Sequence, residues 1–196
     1  MSLQAKLFLN SDNGTGGTKI PVGIHEGTVV FSGLVTDQTW TDILFSEPTT
    51  GRAIHKRLFM PTGSKPKDGE TIQDAYNREQ KRNLGQITDL MLVFLGPEIV
   101  ETFEATDYKE FVAKAALLLG AHKNVPVNLK VIPDYKEKMY PELPYSRYVE
   151  RHNPGSETGL KLSKDDNAAI SEMEMKRAAK SNAAGSASSE DLESLV

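Results

Sequence analysis

Residues 23–61 read GIHEGTVVFSGLVTDQTWTDILFSEPTTGRAIHKRLFMP. Three runs within it, 23–36, 39–47 and 51–61, are rich in Val, Ile, Thr, Phe and Trp, side chains that suit a pleated, half-buried surface. The breaks fall at Thr36–Gln38 and at EPTTG, residues 47–51, where Pro and Gly supply what a hairpin connection needs. The stretch therefore predicts a three-stranded meander. In its third run Ile54, Leu58 and Met60 share a face with Arg52 and Lys56, while His55, Arg57 and Phe59 share the other. Neither face is cleanly apolar, which points to a bulge or a twist.

Downstream, PTGSKPKDGE (61–70) is a polar Pro/Gly loop, and residues 71–96 turn helical, with Ile87, Leu90, Met91 and Phe94 spaced by three and four. A second helix is predicted over TDYKEFVAKAALLLGAHK (106–123). Thr106 would cap it, Glu110 would complete the cap, Gly120 would end it, and Phe111, Ala115, Leu118 and Leu119 would form its buried stripe. The period then returns to two: Val125, Val127, Leu129 and Val131 alternate with Asn128 and Lys130, the pattern of a half-buried strand. A loop, DYKEKMYPE (134–142), leads to a last strand, LPYSRYVERH (143–152), which NPG terminates. Upstream, LQAKLFL (3–9) is strand-like and NSDNGTGGTK (10–19) is a turn-rich loop. A phosphate loop needs Gly immediately before the Lys and Ser or Thr after it; Thr18 and Ile20 stand there instead.

Five strands with a helical insertion after the third give a mainly β domain, the arrangement of the oligonucleotide/oligosaccharide-binding (OB) fold, a partly open Greek-key barrel. A small α+β sheet uses the same elements. The expected organisation is an N-terminal extension (1–19), an OB-fold domain (20–155) with its helical insertion at about 72–122, and a tail (156–196). The tail begins with a polar helix, LSKDDNAAISEMEMKRAAK, whose apolar anchors would be Ile170 and Met173. Residues 178–189, mostly Ala, Ser, Gly and Asn, bury too little apolar area to offset their chain entropy and predict a flexible tether. At its end sits a disordered acidic tip, Glu190 to Val196.

The chain has no cysteine, so disulfides and thiolate chemistry are excluded. Its four histidines show no ligand spacing, and neither a metal nor a cofactor is expected. His25 and His55 read as hydrogen-bonded structural residues. The longest apolar run, LMLVFLG (90–96), falls far short of the ~20 residues of a membrane span. A formal net charge of −4 argues against binding duplex DNA by overall charge. Locally, however, 51–60 and 129–153 interleave Lys and Arg with Phe and Tyr.

The segments PVGIHEGTVV, GRAIHKRLFMP, FVAKAALLLGAHKNVPVNLKVIPD and LPYSRYVERHNPG, in that order over residues 20 to 155, resemble the single-stranded-DNA-binding proteins of tailed bacteriophages. The resemblance implies an OB fold and sequence-tolerant binding of single-stranded DNA in phage replication or recombination, in the cytoplasm of an infected host. It also implies a tethered acidic tip that docks on replication proteins and competes with DNA for the groove. Here the tip residues would be Glu190, Asp191, Leu192, Glu193, Leu195 and Val196, and the chain departs from the pattern by ending in ESLV with no terminal aromatic residue.

A single strand offers phosphates and unstacked base faces, so its binder needs cations and aromatic rings on one surface. The candidate stacking platforms are Trp40, Phe45 and Phe59, with Tyr135, Tyr140, Tyr145 and Tyr148 on the late hairpin. The candidate phosphate contacts are Arg52, Lys56, Arg57, Lys130, Lys136, Lys138, Arg147 and Arg151. Two rival readings are a protein-interaction or virion-structural module built on the same barrel and a hydrolase using Asp37, Asp42, Glu47 or Glu142. The hydrolase ranks last, because no nucleophile elbow, metal-ligand pair or phosphate loop accompanies those carboxylates.

Overall fold

The computed structural model of the chain describes residues 19–135 and 140–190. The meander forms as β1 (Gly23–Thr36), β2 (Trp40–Glu47) and β3 (Arg52–Phe59). After it come α1 (Ile72–Leu95), α2 (Pro97–Glu101), α3 (Tyr108–Leu119), a 3-10 turn (Gly120–His122), β4 (Pro126–Pro133), β5 (Pro141–Glu142), β6 (Val149–Arg151) and α4 (Lys164–Glu190). The strands make one antiparallel sheet in the order β3-β2-β1-β4-β5, with β6 also on β4. The first half of β1 pairs with β4 and the second half with β2, and a register shift interrupts each ladder, at Glu26/Val29 and at Phe31/Gly33.

The sheet is open. Among the described residues no ladder joins β3 to β5 or β6, although Lys56 on β3 reaches across to the Glu142 carboxylate and donates to the Leu143 carbonyl at 3.0 Å. The count of strands is six where five were expected: the predicted last strand shortens to β6, and β5 forms at the end of the stretch predicted as a loop, 134–142. β5 and β6 lie on opposite ends of β4, and 143–148 leaves the ladder between them. Pro144 has no N–H to give a ladder, and Arg147 adopts a left-handed φ of 48°.

The concave face of the sheet carries Val29, Phe31, Ile43, Phe45, Ile54, Leu58, Val127, Leu129 and Val131, all buried with Ile87, Leu90, Met91 and Phe94 of α1. α1 starts at a full capping box between Thr71 and Asp74. α3 begins one residue later than the sequence suggested: Asp107 caps it by accepting from the Glu110 N–H at 2.8 Å, and Glu110 in turn holds Thr106. Its buried stripe is correspondingly rotated to Tyr108, Val112, Ala115 and Leu119, while Phe111 is half-buried and Leu118 exposed. The short helix α2, begun by Pro97, was not anticipated.

The tail departs from expectation most. Where a flexible tether was predicted over 178–189, α4 continues unbroken to Glu190; the alanines that deprive this stretch of apolar area are also the best helix formers. Its first turns dock on β4. Asp166, Ala169 and Met173 are buried at helical spacing, and Ile170 is half-buried. Asp166 is the anchor: it accepts from the Tyr135 hydroxyl, from Lys130 Nζ at 3.2 Å and from the Ser163 N–H at 2.8 Å. Burial opposes its charge, yet the bonds from Tyr135, Ser163 and Lys130 outweigh that and hold the carboxyl down at about 2.

A carboxyl depressed in the folded state stabilises fully above its unfolded pKa of ~3.9 and loses that contribution as pH falls through the folded value. Docking of α4 is therefore expected to weaken between pH ~4 and ~2. Asp166→Asn should cost about 1–3 kcal/mol and speed amide exchange over 164–173. Unchanged exchange in that variant would assign the docking to Ala169 and Met173 alone.

Candidate nucleic-acid interface

Alternation along β2 and β3 divides the predicted residues between two faces. In register, Trp40 lies opposite Phe59, Asp42 opposite Arg57, and Leu44 opposite His55. These six share the convex side, away from the core, because Ile43, Phe45, Ile54 and Leu58 hold the other. Phe59 is 66% exposed and Trp40 half-buried. Arg57 packs on Trp40: its guanidinium lies 4.6 Å from the centre of the Trp40 ring and grips Asp42 with two bonds, Nε to Oδ1 at 3.0 Å and Nη2 to Oδ2 at 2.9 Å. That fork fixes the guanidinium plane against the indole, a geometry a lysine would not hold.

Two predicted platforms belong to the core instead. Phe45 is fully buried, with its ring 5.7 Å from Phe31 and 6.2 Å from Tyr148. Tyr148 is buried against the same cluster, and burial pushes its phenol far above the ordinary tyrosine range. Phe45 points inward because it shares the parity of Ile43 on β2; Tyr148 joins the core from the irregular segment just before β6.

The remaining tyrosines keep exposed rings, and two of them sit beside cations. Tyr145 lies 4.3 Å from Lys56 Nζ and 5.7 Å from the Arg82 guanidinium; Tyr140 lies 5.3 Å from Lys19 Nζ. Tyr135 has an exposed ring, but its hydroxyl is committed to Asp166, and burial together with that carboxylate raises its pKa to about 12.

The cations fare less evenly than the sequence suggested. Lys56 is buried, on the core side of β3, and bound to Glu142. Lys130 is bound to Asp166 and to the Lys161 carbonyl. Both are committed within the fold rather than presented as phosphate contacts. Arg52 is half-buried opposite Glu47 on the concave parity of β3. Arg147 and Arg151 are exposed on the late segment, away from the Trp40–Phe59 pair in register. Lys136, Lys138 and the tip residues Asp191, Leu192, Glu193, Leu195 and Val196 lie outside the described residues, and Glu190 closes α4. Sequence reasoning missed Lys19 and Arg82. Lys19 was weighed only as part of a phosphate loop, and nothing in the α1 sequence signals that Arg82 stands beside Tyr145.

Of the weighed carboxylates, Asp42 and Glu142 are engaged by Arg57 and Lys56. His25 donates from Nε2 to the Pro21 carbonyl at 2.8 Å. No helix among the described residues is long and apolar enough to cross a membrane. Compared with family models, curated proteins and solved structures, the chain matches none.

The two phenylalanines separate cleanly by their cost. Phe45→Ala should destabilise by about 3–5 kcal/mol in urea unfolding, whereas Phe59→Ala should stay within about 0.5 kcal/mol of the parent. Equal losses would mean that Phe59 is packed and the convex face is not open.

Proposed function

We propose that the chain binds single-stranded DNA without regard to base sequence, in phage DNA replication or recombination, and performs no catalysis. The observation that carries this reading is the Trp40–Phe59 pair, two aromatic rings opposite each other on the convex face with Arg57 laid against one of them. An exposed ring offers an unstacked base a flat apolar partner, worth about 1–3 kcal/mol per base. A guanidinium held against such a ring fixes a cation beside that base, with its charge shared by Asp42. Tyr140 with Lys19, just before β5, and Tyr145 with Arg82, between β5 and β6, repeat the ring-and-cation chemistry elsewhere on the surface.

The reading takes the sheet as an OB barrel opened at one seam. In support, β1 is shared between β2 and β4, the helices fall between β3 and β4, and Lys56 bridges the seam to Glu142 and Leu143. Strands two and three of such a barrel carry its ligand. The acidic tip, 190–196, keeps its proposed part as the segment that docks replication proteins.

Titration of a fluorescently labelled oligothymidine, followed by anisotropy at two salt concentrations, tests the reading. Binding should weaken as salt rises, and Phe59→Ala should lose about 1–3 kcal/mol of affinity at constant stability. No binding at low salt would reject the proposal and leave the sheet as a scaffold for protein contacts.

A further inference from the structure

We infer that Lys123 is a phosphate-contacting residue of the same convex face, placed there by Gly33; the inference rests on the single-stranded-DNA reading. The register shift at Phe31/Gly33 is a bulge that turns Ser32 and Gly33 to the same side, since Phe31 and Leu34 both pack toward the core. Gly33 adopts φ +125°, a conformation L side chains rarely take. It pairs with Leu44, which pairs with His55. Gly33 thus ends the row of convex positions that lies four residues along β2 from Trp40, about 13 Å at a strand's rise of ~3.3 Å per residue.

The chain returns from the helices beside this glycine. The Asn124 N–H donates to the Phe31 carbonyl at 2.8 Å, the Phe31 N–H donates to Val125 at 3.1 Å, and Asn124 turns through φ 65°. These bonds clip residue 123 against β1. A Cβ built on Gly33 would meet Lys123 Cε at 2.8 Å, Nζ at 3.6 Å and Cδ at 3.7 Å. The lysine stem therefore lies flat over the missing side chain and carries its ammonium onto the face.

This cation differs from the engaged ones on β3 and β4. Lys56, Arg57 and Lys130 are each bound to a carboxylate. Among the described residues no carboxylate lies within ion-pair distance of Lys123, whose side chain is exposed. A phosphate arriving at Lys123 gains the whole attraction of the ammonium, whereas one arriving at Lys130 must first displace Asp166. A strand laid across the face would rest a phosphate on Lys123 and a base on Trp40 and Phe59.

The experiment measures oligothymidine affinity against salt for the full chain and for Lys123→Ala, Lys123→Glu and Gly33→Ala, alongside urea unfolding. Lys123→Ala should leave stability unchanged, lower affinity about three- to tenfold at low salt, and flatten the log–log salt slope by about 0.7, the value of one phosphate contact on a single strand. Lys123→Glu should lose more. Gly33→Ala, strained at φ +125° whatever the space, should also lower stability in urea, and the part of its affinity loss that runs through the lysine should vanish in the Lys123→Ala background. A parent that binds while Lys123→Ala keeps the same affinity and slope overturns this inference alone. A parent that does not bind overturns both this inference and the function on which it rests.

Discussion

One strand does the organising. β1 hydrogen-bonds to β4 through residues 23–30 and to β2 through residues 30–36, so the sheet must turn along its length. The two register shifts are where it turns, because an extra residue on one strand bends it and increases the local twist. Curvature of this kind gives the sheet two unlike surfaces. The concave one closes over Phe31, Phe45, Phe94 and Tyr148 with α1 and α3 beneath it. The convex one keeps Trp40 and Phe59. Glycine appears at both turns for steric reasons: Gly27 lies under the His152 ring and Gly33 under Lys123, each closer than a Cβ would permit.

Three of the four cations on β3 and β4 are spent on holding the protein together. Lys56 fastens β3 to the segment after β5, Lys130 fastens α4 to β4, and Arg57 is pinned to Asp42. A census of lysines and arginines along β3 and β4 therefore overstates the cations available to an anionic ligand. With a net charge of −4, any local attraction for an anion has to come from cations that the fold leaves without a carboxylate partner. Arg57 is a separate case, since its fork to the buried Asp42 orients the guanidinium against Trp40.

Much of the frame was legible in the sequence. The meander emerged from β-rich runs with Pro and Gly between them, and α1 from Ile87, Leu90, Met91 and Phe94, all of which are buried. What escaped was orientation. Phe45 and Phe59 are the same residue type on neighbouring strands, and β2 is buried on most of both faces, so its alternation carries no inside-outside signal. The shortened last strand had a signal in Pro144 that the run of Tyr and Val concealed. In residues 178–190 the small residues that read as a tether are equally helix formers, and composition alone does not choose between those outcomes. Lys123 and Arg82 reach their places through tertiary return of the chain, which no local pattern encodes.

Trp40 is the only tryptophan, so its emission reports on the convex face without a label. Titrating the full chain with unlabelled oligothymidine at low salt should quench that emission as bases stack beside the indole, and adding salt should restore it. Oligothymidine that binds, by an independent method, while the Trp40 emission stays constant would place the ligand elsewhere and contradict the assignment of this face.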